Sequence, residues 1–67
     1  MVLVKNNTAS SAIGSYIYNN NSGGISITTS AAVYTLGIIL ENSGDFNMGG
    51  LTYPLGNNGN YLLVKLF

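Results

Sequence analysis

The chain has 67 residues, and four of them carry charge: Lys5, Glu41, Asp45 and Lys65, for a formal net charge of zero. Arginine, histidine and cysteine are absent, which excludes disulfides and leaves almost nothing to bind zinc. A domain near 60 residues buries only roughly 60% of its unfolded surface and is marginal alone, so oligomerisation is the one customary support of a small fold left open.

The first apolar run, residues 1–4, is apolar on both faces and predicts a strand. Residues 5–11 are rich in Asn and Ser and predict a turn, because these side chains bond to their own backbone. Residues 13–18 predict a second strand, with Ile13 and Ile17 on one face and Tyr16 and Tyr18 on the other. The cluster 19–24 predicts a turn, joined through Ser22-Gly23-Gly24 to a third strand in which Ile25 and Ile27 point inward and Ser26 and Thr28 outward. Residues 31–40 read as a strand, since Val33, Thr35 and Gly37 would make a poor helix.

Residues 41–50 read as a loop. Residues 51–55 form a weaker apolar run in which Tyr53-Pro54 marks an edge or turn position, because proline cannot donate to a ladder. Asn58-Gly59 suits a type I′ turn, and the terminal run 61–67 follows it. Leu62, Val64 and Leu66 share one face there, with Tyr61, Leu63 and Phe67 opposite beside Lys65. Short runs bounded by turn clusters predict an all-β fold: a small antiparallel sandwich or barrel-like module of about five to six strands in a single domain, completed by oligomerisation. Runs that are apolar on both faces need cover on both, which again calls for neighbouring chains. The Asn/Gly clusters share no repeating frame, so no solenoid is expected.

Chemistry is harder to place. Glu41 and Asp45, with Asn42 or Asn47, could offer oxygens to a calcium ion, but the EF-hand spacing is absent, and a solvated turn explains the same residues. Serine and threonine nucleophiles lack a histidine base. Lys5 and Lys65 read as edge or surface charges that discourage strand pairing. Two lysines make no basic patch, so nucleic-acid binding is not expected. No catalytic, cofactor or metal residues are assigned. Asn6-Asn7-Thr8 and Asn20-Asn21-Ser22 fit a glycosylation sequon, a chance match in an Asn-rich chain.

No basic leader precedes an apolar stretch of about 7–15 residues, so no signal peptide is expected, and residues 31–40 fall short of the roughly 20 that a spanning helix requires. Tyrosine remains the most suggestive residue, giving rigid contact area and a hydroxyl at interfaces. Val2, Val4, Tyr16, Tyr18, Tyr61, Leu63 and Phe67 are therefore the candidate interface. Tyr16 and Tyr18 beside the Asn-rich loops could alternatively form a carbohydrate face, and cross-strand packing is the plain alternative for all five tyrosines.

The stretch Asn19-Asn-Asn-Ser-Gly-Gly-Ile-Ser-Ile27, with Thr28–Ser30 and Val33–Leu36 after it, resembles the short β modules of bacteriophage virion proteins. These are head-decoration (cement) proteins and small tail or fibre accessory proteins. The resemblance covers residues 13–40 and rests on a strand, a glycine-rich turn and a second strand. It implies a small all-β protein, often trimeric, made in the host cytoplasm and bound to a capsid or tail lattice in the virion. The shortage of charge departs from many soluble decoration proteins.

Overall fold

A computed structural model describes residues 1–8 and 11–67. Ala9 and Ser10, part of the turn expected at 5–11, lie outside the described residues. Seven strands form among the described residues, and no helix: β1 Val2–Lys5, β2 Tyr16–Asn19, β3 Ile25–Thr28, β4 Gly37–Glu41, β5 Asp45–Met48, β6 Leu51–Pro54 and β7 Tyr61–Leu66. They make two antiparallel sheets, one of five strands in the order β1-β7-β4-β2-β3 and one of two strands, β5-β6. The all-β expectation holds, with seven strands in place of five to six.

Register decides what the larger sheet buries. Val4 pairs with Leu62 and Val2 with Val64; Ile39 pairs with Val64, and Ile17 with Ile27. Directly paired residues share a face, so one face collects Val4, Leu62, Val64, Ile39, Ile17, Ile25 and Ile27. Its centre is the buried cluster Ile17, Ile39, Leu62 and Val64, with Val4 from one edge strand and Ile25 and Ile27 from the other packed against it. Burying each such side chain stabilises the fold by about 1.5–3 kcal/mol. The edges approach each other beyond this cluster, where Ile25 N–H donates to Asn7 Oδ1 at 3.4 Å.

Two local features tune the sheet. Leu40 is an extra residue between the pairs Ile39–Val64 and Glu41–Leu63, a bulge that bends β4. Gly37 sits where β4 comes closest to β7: a Cβ there would lie 2.6 Å from Lys65 O and 2.7 Å from Val64 Cγ1. Glycine is required at that point by steric approach.

Several expectations are corrected. Ile13 is 61% exposed and lies in a turn with Gly14 at φ +87, so it does not join Ile17 in the core. The run 31–40 divides. Thr35 donates from N–H (3.1 Å) and Oγ1 (2.6 Å) to Ala32 C=O, closing a turn before the strand opens at Gly37. Such side-chain bonds compete with a ladder. Residues 45–48, read as loop, form β5. Asn58-Gly59 does turn with both φ positive, but it docks on the loop after β1: Asn58 N–H meets Thr8 C=O at 3.0 Å and Gly59 N–H meets Asn6 C=O at 2.6 Å. It does not join two paired strands.

Asn6 organises that corner. Its side chain is fully buried. Nδ2 donates to Ser11 Oγ (3.2 Å) and Gly56 C=O (2.9 Å). Oδ1 accepts from Thr8 N–H (3.0 Å) and Thr8 Oγ1 (2.8 Å). Ser11 Oγ passes a bond on to Asn57 Oδ1 at 2.8 Å, and Asn42 Nδ2 donates to Ser11 C=O.

Candidate interaction site

The β5–β6 hairpin is the element least served by the rest of the chain. Its Gly49-Gly50 loop has φ +58 and +81, the two positive values that a type I′ turn requires and glycine supplies without strain. Phe46 pairs with Tyr53 and Met48 with Leu51 on one face; Asn47 pairs with Thr52 and Asp45 with Pro54 on the other. The second face is polar, with Thr52 Oγ1 donating to Asn47 Oδ1 at 2.7 Å. The first is apolar and open towards its tip, where Met48 and Leu51 are 50% and 61% exposed. At its base Leu55 N–H holds Gly44 C=O at 2.8 Å, and the Tyr53 ring meets Tyr61 edge to face at 5.3 Å. A lone two-stranded hairpin is marginal in water and gains stability from a third strand or a packed face.

The seven candidate interface residues separate into groups. Val2 lies at the exposed end of β1 and Val4 packs on the core, both on the buried side of the sheet. Tyr16, Tyr18, Tyr61, Leu63 and Phe67 belong to the opposite side. Leu63 is buried there, so β7 is covered on both faces within the chain and Leu63 offers no surface to a partner. That removes the centre of β7 from the case for neighbouring chains, and leaves its end, where Leu66 and Phe67 are exposed. Tyr16 meets the Phe67 ring at 5.9 Å, and Tyr18 meets the exposed Tyr34 edge to face at 5.1 Å. Tyr61 packs on Tyr53, with Lys5 Nζ 5.2 Å from its ring centroid, a favourable cation–π distance.

A groove of about 560 Å³ adjoins β2 and β3, lined by Thr8, Ala12, Ser15, Tyr18 and residues 26–29. Its lining carries no charge. The sequence pointed to Tyr16 and Tyr18 together; in the structure Tyr18 lines this groove while Tyr16 pairs with Phe67. Of the arm, β6 falls within the weaker apolar run 51–55, whereas β5 falls in the stretch 41–50 that reads as loop. The available signal was Gly49-Gly50 between two short alternating segments.

The charged residues are dispersed. Glu41 closes β4 and Asp45 opens β5, and Asn42 is committed to Ser11. Among the described residues no group of three or more His, Cys, Asp or Glu could hold a metal ion. Lys5 lies on the edge strand β1, whereas Lys65 lies on β7 between β1 and β4, so Lys65 is a surface charge and not an edge charge. No helix among the described residues is long and apolar enough to cross a membrane. Comparison with protein-family models, with curated proteins and with solved structures returns no match to this chain.

Proposed function

We propose that this chain is a non-catalytic structural subunit that associates with copies of itself and joins a larger protein assembly. The observation that carries this is the β5–β6 arm. Its two strands pair with each other alone among the described strands, while its apolar face of Phe46, Met48, Leu51 and Tyr53 opens towards solvent at the tip. A neighbouring chain laid on that face supplies the cover that an isolated hairpin lacks. The exposed Phe67 and Tyr34, each against a tyrosine of β2, offer a second apolar area on the main sheet, and four charges provide little repulsion between copies.

The resemblance of residues 13–40 to phage decoration and tail modules extends this to a virion component in contact with a capsid or tail lattice. Light scattering on the purified chain is the test. A stable oligomer, or a chain soluble only with its partner, is expected; a monodisperse species of 7.0 kDa at every concentration refutes it.

A carbohydrate-binding module is the second reading, favoured by one observation: Tyr18 shares the uncharged groove with the hydroxyl side chains of Ser26 and Thr28. Reproducible glycan-array signals lost in Tyr18→Ala are its test.

A further inference from the structure

The larger sheet has two edge strands, β1 and β3, and they are unequally protected. β1 carries Lys5. β3, with the sequence Ile-Ser-Ile-Thr, carries no charge, no proline and no bulge, which are the usual devices that keep an edge from pairing.

The free backbone groups of β3 follow from its neighbours. Leu36 N–H donates to Ile17 C=O at 2.8 Å, and Ile39 N–H to Ser15 C=O at 2.9 Å. Ser15 and Ile17 therefore turn their backbone groups towards β4. Successive residues of a strand alternate in this respect, so Tyr16 and Tyr18 turn theirs towards β3, opposite Thr28 and Ser26. Asn20 N–H continues the series to Gly24 C=O at 3.2 Å. Ile25, Ile27 and Thr29 must then face away from β2. Ile25 N–H agrees with this by reaching out to Asn7 Oδ1, and among the described residues no side chain makes such a bond to Ile27. Ile27 N–H and C=O have no partner among the described residues.

The uncharged groove runs beside β3, where residues 26–29 line it together with Thr8, Ala12, Ser15 and Tyr18.

We propose that β3 of a second copy occupies this edge, antiparallel and related by a twofold axis through Ile27, so that two five-stranded sheets join into one. This rests on the self-association proposed above and names its contact. In that register Ile27 exchanges both backbone bonds with Ile27 of the copy, Ile25 stands opposite Thr29, and Ser26 opposite Thr28. The pattern is self-complementary, as an isologous contact requires, and brings no charges together. The Ile27 Cα atoms would be about 5.5 Å apart, as in any hydrogen-bonded antiparallel pair. That is close enough for a short thiol cross-linker to join side chains at this position.

The chain has no cysteine of its own, so the full chain with Ile27→Cys is a clean probe. A short bis-maleimide, which spans the wider Cβ separation of a hydrogen-bonded pair, should give a covalent dimer, read on a denaturing gel. Two further variants leave the core untouched. Ser26→Lys with Thr28→Lys sets like charges opposite each other and should weaken association at least tenfold. Ser26→Glu with Thr28→Lys sets opposite charges there and should restore it.

A dimer or other even-numbered oligomer with the cross-link and this charge pattern supports the proposal. An oligomer, such as a bare trimer, that neither cross-links at position 27 nor responds to the lysine pair overturns it and leaves the assembly function standing. A strict monomer overturns both. A glycan that binds the groove while the chain stays monomeric overturns the strand contact in favour of a sugar site.

Discussion

Replacing Asn6 by alanine should cost this chain most of its stability. The side chain is buried and makes four hydrogen bonds that tie the end of β1 to Thr8, Ser11 and Gly56. Truncation leaves at least Gly56 C=O and Thr8 N–H without that partner. Each of the four bonds contributes about 0.5–1.5 kcal/mol net, so the loss is about 2–6 kcal/mol. A folded chain of this length has a total stability of about 3–10 kcal/mol at the usual 0.05–0.15 kcal/mol per residue. Urea unfolding, followed by far-UV circular dichroism and tyrosine emission at matched concentration, reads the difference. With a slope of about 1 kcal/mol per molar for a small domain, the midpoint should fall by at least 2 M, or the variant should be unfolded at the start. Asn7→Ala is the control, because Asn7 is exposed and its bond to Ile25 N–H is 3.4 Å long; it should shift stability by less than about 1 kcal/mol. If the two variants unfold within about 0.5 kcal/mol of each other, the corner is not held together by Asn6.

Gly37→Ala should destabilise the fold by about 1–3 kcal/mol or more, the ordinary cost of overpacking. Its Cβ meets the β7 backbone at Lys65, which pairs with Ile38 of β4 itself, and the urea midpoint reads the effect. Met48→Lys with Leu51→Lys should leave that midpoint nearly unchanged, since both residues are exposed, yet lower the mass seen by light scattering. An unfolded double variant would show that the arm's apolar face is needed within the chain itself. Raising salt tenfold should not dissociate the assembly, because apolar area and main-chain bonds dominate it and salt screens only exposed charges. Dissociation under those conditions would point to an electrostatic contact instead.

The parts of the fold legible in the sequence were those in which side-chain type and period agree. In β3 and β7 the alternation of Ile25 and Ile27 with Ser26 and Thr28, and of Leu62 and Val64 with Tyr61 and Lys65, assigns both strand and face. β5 was hidden because Asp45 and Asn47 are weak strand formers placed between glycines; its pairing is set by the Gly49-Gly50 turn and by Phe46 and Met48 across from Tyr53 and Leu51. Residues 31–36 misled in the opposite sense, since Val33 and Tyr34 look like core and lie exposed on a turn closed by Thr35. Asn6 was invisible for a different reason. Among many asparagines, nothing local marks the one whose amide is buried between segments some 50 residues apart. The candidate interface was legible in its residue types but not in its geometry: Leu63 was lost to the interior, and Tyr16 and Tyr18 found different neighbours.

Self-association is the claim on which the rest depends, and sedimentation velocity over a hundredfold range of concentration measures it directly. The expected result is a defined oligomer at high concentration, with a mass that is an even multiple of the 7.0 kDa chain if β3 pairs as proposed. A single sedimenting species at the monomer mass throughout would contradict it.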